Sequence, residues 1–142
     1  MLNKKYDVLV IGGGVAGCYC SICLSIAGKT VALIEKESLG GVALRWGALP
    51  VKRILDAFKM GKGQYLIDNW DNDIKNLEEK IYNNIKSKNL DIYLGNGEFL
   101  DNRSYKINNQ VLKGDFIIIA SGTRSIGTNT IPIDAKRIIT HR

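Results

Sequence analysis

Gly12, Gly14 and Gly17 stand in the spacing GxGxxG, and Glu35 closes the apolar run that follows. These residue types at these intervals serve one chemistry, the holding of a dinucleotide. The first glycine permits a tight turn, the second lets the backbone approach a pyrophosphate, and the third lets a helix pack closely on a strand. The diphosphate would rest on the amides of Val15 and Ala16, at the N-terminus of a helix, where the dipole favours negative charge. Glu35, with Lys36 beside it, falls where a carboxylate accepts hydrogen bonds from a ribose diol. It would repel a 2′-phosphate, so FAD or NAD fits better than NADP.

A GxGxxG alone is weak evidence, because glycines also serve plain helix packing. The flanking elements make it specific. Tyr6 to Ile11 (YDVLVI) reads as a strand, Val15 to Ala27 as a helix, Gly28 as a break and Thr30 to Ile34 as a second strand ending on the acid. The chain of 142 residues, 45% hydrophobic and 24% charged, has the composition of one soluble globular domain. No apolar run approaches the roughly 20 residues that span a bilayer, and the N-terminus leads directly into a strand, so a cytoplasmic protein is expected. The net charge of +6 is spread over the chain without a basic block, which suits an anionic cofactor and argues against nucleic acid.

Cys18, Cys20 and Cys23 all fall in the first predicted helix, the last two as CxxC. No second ligand pair accompanies them, and helical backbone directs side chains poorly for a disulfide. They read as small apolar residues packing the helix on the sheet, with no metal and no catalytic residue assigned.

Leu39 to Leu55, LGGVALRWGALPVKRIL, resembles the redox-active segment of the flavoprotein pyridine nucleotide-disulfide oxidoreductases, GGxCLNxxCxPxK, and among them dihydrolipoamide dehydrogenase. Gly40, Gly41, Leu44, Trp46, Gly47, Pro50 and Lys52 match in one register. The resemblance implies FAD as cofactor, with Gly41, Val42 and Lys52 near it. Ala43 and Ala48 occupy the two cysteine positions, and an alanine methyl forms neither a thiolate nor a disulfide. Arg45, Val51 and Arg53 depart from the pattern as well. Lys52 matches a family lysine near the flavin; a solvated helix lysine is the other reading.

Pro50 suits the first turn of a second helix, PVKRILDAFKMGK, and Gly61 to Asn69 reads as a connection. From Asp71 to Lys88 the helical spacing of Ile74, Leu77, Ile81 and Ile85 predicts an amphipathic helix packed on the core, capped by Asp71 or Asn72. Leu90 to Leu94 should be the third parallel strand. Gly95, Gly97 and Phe99 resemble the family's GxGxF, which implies adenine contacts at Gly97 and Glu98; a GxG also marks a plain turn. Glu98 to Leu100, Ser104 to Ile107 and Gln110 to Leu112 alternate between turn signals, predicting a small antiparallel meander. Phe116 to Ala120 reads as a buried parallel strand. Ala120, Ser121 and Gly122 resemble the ATG that closes the corresponding family strand beside FAD, and Thr123 to Pro132 reads as a loop.

The expected fold is therefore α/β, a Rossmann-like FAD-binding domain with a parallel sheet, flanking helices and a β-meander. Residues 1–142 would form the N-terminal part of that domain. The resemblance implies that the nicotinamide and dimerisation domains are absent, and His141 does not match the family's catalytic histidine. Without the family's returning strand, Phe116 to Ala120 becomes an apolar edge that invites a partner chain or self-association. Two functions follow. One is an FAD-binding module that lacks the redox disulfide and is not a competent disulfide reductase alone. The other is a flavoprotein oxidoreductase component completed by a partner chain supplying the NAD(P)H site. A decayed sequence that binds nothing is a third.

Overall fold

A computed structural model describes residues 3–86 and 90–140. The predicted helix end at Lys88 and the residue His141 lie outside these. The strands are β1 (Asn3–Ile11), β2 (Val31–Glu35), β3 (Leu90–Leu94), β4 (Gly97–Phe99), β5 (Ser104–Ile107) and β6 (Gln110–Ile119). They form a six-stranded sheet in the order β3-β2-β1-β6-β5-β4. The first four run parallel, with Val8 opposite Val31, Ile34 opposite Tyr93, and Ile11 opposite Ile119. β4, β5 and the first part of β6 form the antiparallel meander, with Tyr105 opposite Leu112. Chain reversal between parallel neighbours requires crossovers, and helices supply them. α1 (Val15–Ile26) joins β1 to β2; α2 (Gly41–Arg45), α3 (Ala48–Lys59), α4 (Gly63–Asp68) and α5 (Trp70–Lys86) lie between β2 and β3.

The sheet carries a separate apolar cluster on each face. On one, Val8, Val10, Val31, Leu33 and Leu90 pack with Cys18 of α1, Leu39 and Ile85 of α5. On the other, Tyr6, Leu9, Ala32 and Ile34 pack with Tyr105, Ile107 and Leu112 of the meander. Leu9, Leu33, Ile107 and Leu112 are fully buried, each worth about 1.5–3 kcal/mol of transfer free energy. Strict alternation would put Tyr6 with Val8. The alternation breaks at Asp7, where the Asp7 and Val8 N–H groups both donate to the Thr30 carbonyl, at 3.1 and 3.2 Å, while the register with β6 is kept, Tyr6 opposite Gly114 and Val8 opposite Phe116. The Tyr6 hydroxyl thereby reaches Asp91 and Tyr93 on β3.

The amphipathic helix is present and its stripe packs as expected, with Ile74 and Ile85 buried. It begins at Trp70, and Asn69 precedes it, its carbonyl accepting from the Asp73 N–H at 3.0 Å. Asp71 and Asn72 are therefore inside the first turn and are not caps. Residues 61–69 are not merely a connection, because α4 fills most of them. The helix expected from Pro50 starts at Ala48, and part of the segment before it forms α2. Phe116 to Ala120 is parallel to β1 as read, but it is not buried: Phe116 is 70% and Ile119 67% exposed. β5 pairs only with residues 110–113 of β6, and the Gly114 N–H to Arg103 carbonyl bond ends that contact, leaving the far side of residues 115–119 without a neighbouring strand among the described residues. Cys23 is exposed, so only Cys18 and, in part, Cys20 pack as the helix reading expected.

Candidate functional site

β1 ends at Ile11 and the chain must turn sharply into α1. Gly12 makes that turn at φ 110°, and a Cβ on it would lie 2.3 Å from the Ala120 carbonyl oxygen. The third glycine faces the first: a Cβ on Gly17 would lie 1.8 Å from the Gly12 carbonyl oxygen. The middle one differs from both, since a Cβ on Gly14 would meet nothing within 4 Å. Two of the motif's glycines are thus required by the protein's own packing, and Gly14 leaves a space that the protein does not fill. α1 makes its first internal bond from the Cys18 N–H to the Gly14 carbonyl at 2.9 Å. The amides of Val15, Ala16 and Gly17 precede it and stand at the positive end of the helix dipole.

Glu35 is 8% exposed at the end of β2. Its Oε2 accepts from the Gly13 N–H at 2.6 Å and its Oε1 from the Glu37 N–H at 2.7 Å. The carboxylate is fixed by two backbone donors, and each oxygen keeps acceptor capacity for a further hydrogen bond. The start of α2 is tied to the same loop by the Gly40 N–H to Gly13 carbonyl bond, 2.8 Å.

These pieces enclose a cavity of about 420 Å³ at the carboxyl ends of β1, β2 and β6. Between β2 and β6 on either side of β1 the strand order reverses, which is where open α/β sheets hold ligands. Of the residues expected from sequence, Gly12, Gly14, Val15 and Ala16 line the cavity from the loop, and Glu35 and Lys36 from β2. Gly41 and Val42 line it from α2, and Ala120, Ser121 and Gly122 from the end of β6. Gly17 lies buried beneath the turn. Lys52, Gly97 and Glu98 are not in the lining. The Lys52 side chain is 79% exposed with its Nζ 3.7 Å from Asp56, the solvated arrangement. A Cβ on Gly97 would lie 2.3 Å from the Tyr105 ring, so packing within the meander accounts for this glycine, and Glu98 pairs with Lys106.

Arg45, Trp46, Gly95, Tyr105, Thr123 and Arg124 also line the cavity and were not assigned to the cofactor from sequence, although Arg45, Trp46 and Gly95 stand in the segments that carry the resemblance. Arg124 follows the Ala120-Ser121-Gly122 signal by two residues and had that one clue; Tyr105 carried none. Of the positions matched to the family cysteines, Ala43 lies in the lining and Ala48 does not. The cysteines present are free. The Cys18 Sγ–H donates to the Gly13 carbonyl at 3.0 Å, and burial pushes its pKa up, so it stays a thiol. Among the described residues no group of three His, Cys, Asp or Glu side chains could hold a metal ion, and no helix is long and apolar enough to cross a membrane.

Comparisons with known proteins agree with this geometry. Residues 6–141 match the family model described as pyridine nucleotide-disulphide oxidoreductase. The chain is similar to a dihydrolipoyl dehydrogenase of Acholeplasma laidlawii, 26% identical over 88% of this chain and 43% of the relative. It is equally similar to a soluble pyridine nucleotide transhydrogenase of Mycobacterium tuberculosis, 26% identical over 96% of this chain and 35% of that one. Among solved structures, the Cu(II) complex of the HOCl-induced flavoprotein disulfide reductase RclA from Escherichia coli superposes with a TM-score of 0.77 at 26% identity, covering 89% of this chain and 30% of that chain. The chain therefore spans less than half the length of these relatives. FAD is the cofactor of this family, and the open position at Gly14, the helix amides and the Glu35 carboxylate fit its adenosine diphosphate half. With a family match over nearly its whole length and a Rossmann-like site at the matching strand ends, the chain belongs to the pyridine nucleotide-disulphide oxidoreductases.

Proposed function

We propose that this chain is the N-terminal part of an FAD-binding domain that holds the cofactor without disulfide chemistry of its own. The observation that carries this reading is the space at Gly14, bounded by the helix amides on one side and the fixed Glu35 carboxylate on the other. In it the Val15 and Ala16 amides would take the diphosphate, Glu35 the ribose diol, and Ala120, Ser121 and Gly122 the side toward the flavin. Bound FAD supplies electron transfer; this chain's residues bind it, orient it and shield it from water. Ala43 and Ala48 bring no thiol to that chemistry, and the three free cysteines sit on α1, with Cys18 capped by the Gly13 carbonyl. Free thiols are in keeping with the reducing cytoplasm, where we place the protein.

A second reading is favoured by one observation, the open far side of β6 with Phe116 and Ile119 exposed. A partner chain that pairs there could supply an NAD(P)H site, and the two would form an oxidoreductase whose acceptor is not a disulfide. The absorbance spectrum of the purified chain, with FAD added if it is colourless, tests the first reading: flavin bands shifted from those of free FAD are expected. No binding at high micromolar FAD would sink it. Copurification of a stoichiometric second subunit, with bleaching of the flavin by NAD(P)H, would decide for the second.

A further inference from the structure

We infer that Arg124 is an additional cofactor-positioning residue, held aside by Glu37 until an anionic dinucleotide displaces that carboxylate. The inference rests on the FAD reading above and deepens it. Three cations line the cavity: Lys36, Arg45 and Arg124. Arg45 is committed elsewhere, since its Nε donates to Ser38 at 2.9 Å and to Glu78 at 2.7 Å, and its terminal nitrogen lies 2.6 Å from the same Glu78. Arg124 is held far more loosely. One terminal nitrogen meets Glu37 Oε1 at 3.3 Å, with side chains 61% and 50% exposed, and Lys36 approaches the same oxygen at 3.7 Å.

Position gives this weak contact its meaning. Arg124 follows the end of β6 and Glu37 follows the end of β2, so their pair bridges two loops that both line the cavity. The Glu37 N–H also donates to Glu35, which ties the bridge to the carboxylate placed for the ribose. A long, single-pronged, solvated carboxylate contact is a poor use of a guanidinium, whose fork matches a phosphate with two parallel hydrogen bonds. A diphosphate entering beside Gly14 would offer that better partner within the same cavity. Arg124 would then exchange Glu37 for the cofactor, drawing the loop after β6 toward it.

The test is FAD titration of the full chain and its variants, followed by flavin fluorescence. Arg124→Ala should weaken FAD binding about five- to tenfold and reduce its salt dependence, and Arg124→Lys should recover part of the loss. Glu37→Gln should tighten binding about two- to fivefold in the native background and by clearly less in the Arg124→Ala background, where the arginine is gone and only the longer contact to Lys36 is released. Equal tightening in both backgrounds would mean simple repulsion by Glu37 and would overturn the latch, as would an unchanged affinity in Arg124→Ala. If the native chain takes up no FAD, the cofactor reading itself fails and this inference with it. Binding with additive substitutions removes the latch alone.

Discussion

Individual residues divide the glycine motif into two positions that the protein's own packing requires and one that opens on free space, and the two parts predict opposite behaviour. Gly14→Val should leave the melting temperature nearly unchanged, because its side chain enters open space, and should weaken FAD binding at least about tenfold by occupying the diphosphate's path. Gly17→Ala has no such freedom, with its methyl driven against the Gly12 carbonyl, and should cost about 1–3 kcal/mol in chemical denaturation. Equal loss of stability in both would show that Gly14 is a packing residue. A second residue-scale prediction concerns pH. Hydrogen bonds from Lys4 and then Tyr6 hold the Asp91 carboxyl below its ordinary value of 3.8. Its folded pKa is lower than its unfolded one, so this contribution to stability is complete above about pH 4 and disappears as pH falls through the folded value. Asp91→Asn should lower stability at pH 7 by about 1 kcal/mol and flatten the acid limb of the stability profile, measured by urea unfolding from pH 7 to 3. The motif glycines and Glu35 were legible because local backbone needs dictate residue type. The Tyr6–Asp91–Tyr93 contact was not, since the break in alternation at Asp7 puts Tyr6 on a face that its spacing from Val8 denies it.

At the scale of elements, the departures Arg45 and Arg53 acquire a reason. Both reach α5: Arg45 pairs with Glu78, and Arg53 makes a two-pronged contact with Asp73 at 2.8 and 2.6 Å. α3 has no buried residue, and Val51, Leu55 and Phe58 are exposed along it, so apolar packing contributes little to its position. The Arg53 fork is left as the directional tie between α3 and α5. Asp73→Ala should therefore loosen α3 selectively, raising amide exchange over residues 48–59 while β1 and β2 stay protected. The global cost should be about 1 kcal/mol, since the pair is partly exposed. Uniform protection of α3 in that variant would count against the tie. The glycine turn and the break at Gly28 bounded α1, sequence periodicity found α5 because it buries residues of one face, and the meander was found because its turn residues fall between alternating runs. Sequence reading missed α2 and α4, which are 5 and 6 residues long, too short to show a period. It also placed the start of α3 too late, at Pro50, because proline is tolerated throughout a first turn and the helix already begins at Ala48.

For the whole molecule, the decisive feature is where the sheet stops. Residues 111–113 of β6 are paired on both sides, whereas residues 116–119 pair only with β1, and the exposed Phe116 and Ile119 flank that open side. Sequence reading identified the edge and its apolar character but called the strand buried, because a continuous run of Phe and Ile is ordinarily covered on both faces. Here the covering elements are absent from the described residues, and the relatives are two to three times as long. An unpaired row of backbone groups beside exposed apolar side chains favours pairing with another strand. The chain by itself should associate with increasing concentration. Lysine at positions 116 and 119 should suppress this, since charges along an edge oppose strand addition. The two substitutions lie on exposed positions, so each should change folding stability by no more than about 0.5 kcal/mol. Sedimentation velocity across a concentration series separates the outcomes: native chain shifting to larger species while Phe116→Lys/Ile119→Lys stays monomeric supports an edge-mediated contact. Association that survives the double substitution would move the contact to another surface, for which the exposed Val51, Leu55 and Phe58 face of α3 is the alternative the fold offers. FAD binding should persist in the double variant, because neither side chain lines the cavity. That separation of assembly from cofactor affinity is what distinguishes a docking edge from a part of the binding site.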